Sequence, residues 1–316
     1  MAVGNSLAKQ STAPQKMTVS QYLAGDGVKR GIMNMIGSEK ESQKFISSIL
    51  SATSVNPALQ ECEHSTIVSS ALLANALNLS LSPTLGLAYM VPFKDKKNDR
   101  VVATFVLGYK GYIQLAVRSG YYRKINVISI KEGELVKYDP LSEELTVNLI
   151  QDDDVRENTP TVGYFAMFEL TNGFIKTLYW SKKKMLIHAD KYSKAFNLNA
   201  VKGKEPKYNR VSYADFEAGK VPDSELWKYS SFWYSDFDGM AYKTMLRQLI
   251  SKWGIMSIDM QNAFEQDSKA MDDSEQFTAA PIGQVVAAEA KKVGDFNPES
   301  FVSDVNTETG EVIETE

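Results

Sequence analysis

Between Gly108 and Gly120, Lys110, Gln114 and Arg118 recur every four residues. Side chains four apart share one face of a helix, so two cations and an amide donor stand in a row. A row of donors suits a regularly spaced anion, and a nucleic-acid backbone is such an anion; its phosphates give affinity without regard to sequence. Charges on a helix face equally suit plain solvation, and this stretch alone leaves the two readings open. Lys243 and Arg247 repeat the spacing further along, with Gly239 one turn earlier, where a backbone could come close. Lys182, Lys183 and Lys184 follow Ser181 at a helix start, where cations oppose the macrodipole unless phosphate or solvent favours them. Lys202, Lys204, Lys207 and Arg210 are interleaved with Tyr208 and Tyr213, a mixture that could engage both the phosphates and the bases of a single strand.

Several elements must position these residues. Ser38 opens a helical pattern carrying Phe45, Ile46, Ile49 and Leu50, which Asn56-Pro57 stops; a second helix is expected over residues 65–78. LGLAYMVPF (85–93) and VVATFVLG (101–108) flank a charged turn and predict a β-hairpin. The Lys110 helix follows directly, Gly120 stands where a helix ends, and a strand is expected over 121–130. A further short strand is expected over 146–150, and Asp152 to Asp154 are assigned to a loop whose consecutive carboxylates converge poorly on a metal. Thr161–Leu170 and Phe174–Trp180 form a second hairpin around Asn172-Gly173. Residues 197–230 read as a long functional loop. The last large helix opens at Ser235, with Asp238 at capping-box spacing and Tyr242, Leu246, Leu249 and Trp253 along its core face. The expected fold is α+β: β-hairpins and a small antiparallel sheet packed with helices around a β-β-α-β unit.

A chain of 316 residues with 43% hydrophobic residues can bury a substantial core. The lone Cys62 excludes a disulfide framework, and no signal peptide or membrane span is evident, so a soluble cytoplasmic protein is expected. The net charge of −4 is unevenly distributed. Residues 265–316 carry 13 acids against three lysines, a net of −10, which leaves +6 on residues 1–264. The expected organisation is a flexible arm over 1–30, one working domain over 31–267 and a disordered acidic tail over 268–316.

With both ladders located, LGLAYMVPF (85–93), LGYKGYIQLAVRSG (107–120) and MAYKTMLR (240–247) together resemble the RecT family of phage single-strand annealing proteins. The resemblance covers about residues 40–260. It implies binding of single-stranded DNA and ATP-independent annealing to duplex, homo-oligomeric rings or filaments in the bacterial host cytoplasm, and a 5′-to-3′ exonuclease as companion. By the same analogy the tail would contact the host single-strand-binding protein; a solubilising linker is the alternative. Between Phe196 and Trp233 the chain is longer than the family pattern, so Lys202 to Arg210 rest on charge and aromatics alone. No cofactor is required on this reading; Mg²⁺ could stimulate but has no recognisable motif. Rival classes are a passive single-strand-binding protein and a Mg²⁺-dependent nuclease, the latter disfavoured because no carboxylate constellation lies beside the ladders, no phosphate loop is present, and His64 and His188 are isolated.

Overall fold

The computed structural model describes residues 17–95 and 98–272. Thr18 and Gln21 form a reciprocal capping box that starts α1 (Val19–Ala24), and α2 (Asp26–Ile36) ends at Gly37 in the left-handed region. Val19, Leu23 and Ile32 are buried by these helices. Residues 17–30 of the expected flexible arm are therefore folded. Their helical period is interrupted by Gly25, Gly27 and Gly31, which masked it in the sequence; residues 1–16 lie outside the described residues.

Ser38 caps α3 (Glu39–Val55), and α4 (His64–Ala76) lays Ile67, Ala71 and Ala74 against the hairpin that follows. That hairpin is β1 (Ala88–Asp95) and β2 (Arg100–Leu107), antiparallel with Ala88 opposite Leu107. Next come α5 (Tyr109–Ser119), closed by Gly120 at φ 75°, and β3 (Tyr122–Lys131). The β-β-α-β order holds along the chain, but the strands divide between sheets: β1-β2 stands alone, and β3 joins β6 (Thr161–Leu170) and β7 (Ile175–Ser181) in the antiparallel order β3-β6-β7.

Between β3 and β6 a small hairpin pairs β4 (Leu135–Asp139) with β5 (Glu144–Val147). The expected strand at 146–150 is the end of this hairpin, shifted toward its turn. The acids at 152–154 do not make a loop. Asp152 accepts from the Val155 N–H and starts α6 (Asp153–Asn158), which delivers Arg156 to the buried Glu134 at 2.6 Å. Among the described residues no group of three or more His, Cys, Asp and Glu could hold a metal ion.

Ser181 caps α7 (Lys182–Tyr192), as its position before the lysines predicts. The segment 197–230, expected as a loop, is packed. It holds short 3-10 turns at Pro206–Tyr208 and Asp223–Tyr229 and α8 (Tyr213–Glu217), and its Tyr213 joins a cluster with the flanking Phe196 at 5.4 Å, which in turn meets Tyr234 at 4.9 Å. Aromatic burial, each ring worth well over 100 Å² of apolar surface, replaces the missing regular structure. Tyr213 belongs to this core and is unavailable to a ligand.

After α9 (Phe232–Ser235), α10 (Phe237–Trp253) runs through the centre with Ala241, Met245, Leu246, Leu249 and Ile250 fully buried against α5 and the three-stranded sheet. Its cap is Asp236, not Ser235, and Asp238 instead accepts from the Tyr164 hydroxyl at 2.6 Å. Trp253 leaves the expected core face and is partly exposed under the Lys176 ammonium. The final helix, α11 (Ile258–Asp272), carries Met260, Ala263 and Phe264 into the core and crosses the expected domain boundary at 267/268. The rest of the acidic tail, from 273, lies outside the described residues.

Candidate nucleic-acid interface

The α5 helix is pressed onto the chain preceding β1. A Cβ on Gly108 would stand 2.1 Å from the Gly86 carbonyl oxygen, and one on Gly111 would stand 2.2 Å from that of Leu87. Only glycine permits this approach. Gly111, Tyr112, Leu115 and Ala116 are buried, which turns Lys110, Gln114 and Arg118 outward on one exposed face. The first ladder is therefore on the surface, as its spacing predicts. Lys110 lays its stem over Gly86, and among the described residues it has no ion-pair or hydrogen-bond partner. Arg118 donates from Nη2 to the Leu77 carbonyl at 2.8 Å, closing the C-terminal end of α4.

The second ladder is inverted. Lys243 is 5% exposed, and its Nζ lies 2.7 Å from Asp267 Oδ1. Arg247, partly exposed, meets Asp267 Oδ2 at 3.5 Å and donates to Ser268 Oγ. Asp267 itself is fully buried and also accepts from the Leu107 N–H at 3.0 Å and the Tyr112 hydroxyl at 2.7 Å. Burial together with the Asp267 charge holds the Tyr112 phenol well above its ordinary pKa, so it remains a donor. Lys243 is thus a buried countercharge and not an open phosphate contact, because a lone ion inside the core would cost several kcal/mol and a carboxylate neutralises it. Gly239 serves the Asp236 cap, whose carboxylate would stand 2.2 Å from any Cβ placed there; it offers no approach to a second backbone.

Sequence reasoning missed Asp267, although the signal was present. Met260, Ala263, Phe264 and Asp267 fall at i, i+3, i+4 and i+7, one inward helical face whose last member lies in the acidic stretch that starts at Glu265.

The remaining expected cations divide further. Lys182 pairs with Glu217 at 2.6 Å, while Lys183 is exposed. Lys202 and Lys204 are exposed; Lys207 pairs with Glu205 at 2.9 Å and lies 5.0 Å over Tyr208. Tyr208 is half exposed and edges Trp227, and Arg210 donates to the Ala195 carbonyl at 3.0 Å. Arg210 thus commits one guanidinium N–H to the backbone, as Arg118 does.

A cavity of about 280 Å³ opens between α7 and α10, lined by His188, Tyr192, Lys243, Thr244, Arg247, Gln248 and, from α11, Ser268. Burial, then the charges of Arg247, Lys191 and Lys184, push the His188 imidazole down to about 4.

The family model described as RecT family matches residues 43–279, most of the chain and all of these helices. The chain belongs to the RecT family. RecT-family proteins are single-strand annealing proteins of DNA recombination, which agrees with the motifs at 85–93, 107–120 and 240–247. Against individual proteins, this RecT-family chain is 34% identical to the uncharacterized protein YqaK of Bacillus subtilis (strain 168), over 89% of this chain and 84% of that protein. It is 25% identical to the protein RecT of Escherichia coli (strain K12), over 67% of this chain and 66% of that one. No helix among the described residues is long and apolar enough to cross a membrane.

Proposed function

We propose that this protein binds single-stranded DNA and anneals complementary strands without ATP, acting as a homo-oligomer in the cytoplasm and not as an enzyme. The observation that carries this reading is the outward row of Lys110, Gln114 and Arg118 on a helix inside a RecT-family motif. Annealing must bring two polyanions together while their base edges stay free. Lys110 supplies a point charge, Arg118 a guanidinium and Gln114 a neutral donor, all directed at phosphate and none needed for base identity. Pairing between the strands provides specificity, so the protein requires no base-edge readout.

One protomer offers few such contacts, and repetition along an oligomer turns weak contacts into a continuous track. A 5′-to-3′ exonuclease is the expected companion, because it exposes the strands to be paired; no cofactor is needed, though Mg²⁺ could assist by screening. The decisive experiment follows quenching between dye-labelled complementary oligonucleotides without ATP. Accelerated pairing with the product retained supports annealing. Binding that slows pairing would make the protein a passive single-strand coat, and cleavage of the labelled strand in Mg²⁺ would make it a nuclease.

A further inference from the structure

The cavity between α7 and α10 has no part in the outward ladder on α5, yet its lining is chemically specific. From α10 it receives the Arg247 guanidinium, the Gln248 amide and the Thr244 hydroxyl; from α7 it receives His188 and Tyr192, whose rings lie 4.6 Å apart. None of its lining residues is acidic. The nearest carboxylate named in the cluster, Asp267, is buried against Lys243 and meets Arg247 at 3.5 Å, one negative charge against two positive ones. Lys184 and Lys191 add their positive charges at His188 from the same helix. Tyr192 is 56% exposed, with His188 4.6 Å from its ring and the Lys191 ammonium 5.2 Å over it, so one part of the cavity rim is an aromatic ring that solvent reaches beside a cation. The volume falls just below the roughly 300–1,000 Å³ usual for ligand clefts, a size for one unit of a polymer and not for a larger ligand.

An unbranched anion with a flat apolar group beside it fits such walls. We propose that this cavity is a nucleotide subsite for single-stranded DNA, with one backbone phosphate against Arg247 and Gln248 and the adjoining base on the Tyr192 ring. The proposal rests on the single-strand-binding function and adds a second point of contact to it, on a different helix from Lys110. A base held only by the exposed part of one ring yields to Watson–Crick pairing when the complementary strand arrives. The phosphate contact persists through annealing, whereas the stack does not. The subsite therefore discriminates the single strand from its product.

His188 makes the occupancy observable. The charged groups bearing on its ring are Arg247 from α10 and Lys184 and Lys191 from α7, and a phosphate seated among them would offset their field. The experiment follows the imidazole nitrogens of His188 by NMR in the full chain, between pH about 4 and the ordinary imidazole value of about 6.5, with and without saturating oligo-dT. The other histidine, His64, is the internal control, and His188→Asn assigns the signal. In parallel, affinities for oligo-dT, an abasic oligonucleotide of equal length and the annealed duplex are measured for wild type and Tyr192→Ala.

The expected results are a His188 pKa that rises on DNA binding and a wild-type preference for oligo-dT over the abasic strand of about tenfold. Tyr192→Ala should lose that preference and keep the wild-type affinity for duplex. If DNA saturates the protein while His188 does not move, or if Tyr192→Ala keeps the preference, the subsite is overturned and the α5 face still stands. If the wild type binds no single strand, the broader function falls and the subsite falls with it.

Discussion

Two helices of this protein carry the same sequence pattern, basic residues one turn apart, and the fold treats them oppositely. On α5 the buried side is small and aromatic, Gly111, Tyr112, Leu115 and Ala116, so the cations are left outside. On α10 burial extends almost around the helix, taking in Lys243 and Thr244 as well as Met245 and Leu246, and α11 supplies Asp267 to make that tolerable. Spacing identifies a shared face. Whether that face meets solvent depends on what later parts of the chain bring to it.

Breaking the comparison is most direct at Lys243. Lys243→Met removes the nearest countercharge of the fully buried Asp267, leaving Arg247 at 3.5 Å, and the protein should lose about 3–5 kcal/mol in urea unfolding. Adding Asp267→Asn should recover part of that loss, and a double-mutant cycle with additive effects would contradict the pairing. If Lys243→Met leaves stability unchanged and weakens DNA binding alone, the two ladders are alike after all.

Arg118 is intermediate, because it joins both roles. Arg118→Ala removes the hydrogen bond to the Leu77 carbonyl and should cost about 1 kcal/mol of stability. It should also flatten the dependence of log K on log salt by about 0.7 for a single strand. Lys110→Ala should show the binding change without the stability change, since Lys110 is exposed with no partner among the described residues. An unchanged salt slope in Lys110→Ala would reduce the α5 row to a solvated face.

The smallest effect is one of pH. His188 is held down at about 4 by burial and by Arg247, Lys191 and Lys184, against an ordinary 6.5 when unfolded. The unfolded chain then binds the proton more readily than the folded one. The His188 contribution is complete above pH 6.5 and is lost progressively as pH falls toward 4. Thermal denaturation across that window should lose part of its pH dependence in His188→Asn, by a modest amount because the ring is only partly buried.

Much of this fold was legible in the chain. Asn172-Gly173 and Gly120 marked their turns, since few residues take the backbone angles of those glycines, and apolar, β-branched and aromatic runs around a charged turn placed the first hairpin. Glycines broke the period of α2, and the Leu135–Asp139 strand was too short and mixed in character to announce itself. The exposed half of the candidate interface followed from local spacing alone. The buried half did not, because the partner of Lys243 lies 24 residues further on, inside a stretch whose acidity suggested solvent. In segment 197–230, basic and aromatic residues looked like one ligand-binding mixture, but Tyr213 joins the core and Arg210 turns to the Ala195 carbonyl.

Asp267 also sets an order of events for the growing chain. Its bonds to the Leu107 amide and the Tyr112 hydroxyl span 160 and 155 residues, long reaches among the described residues. Until that residue has left the ribosome, Lys243 has no carboxylate to meet and the seam between α5 and α10 stays unlocked. The expected consequence is a domain that closes late in its synthesis. A fragment ending at 260 should emerge with its strands formed and its central helix unsecured.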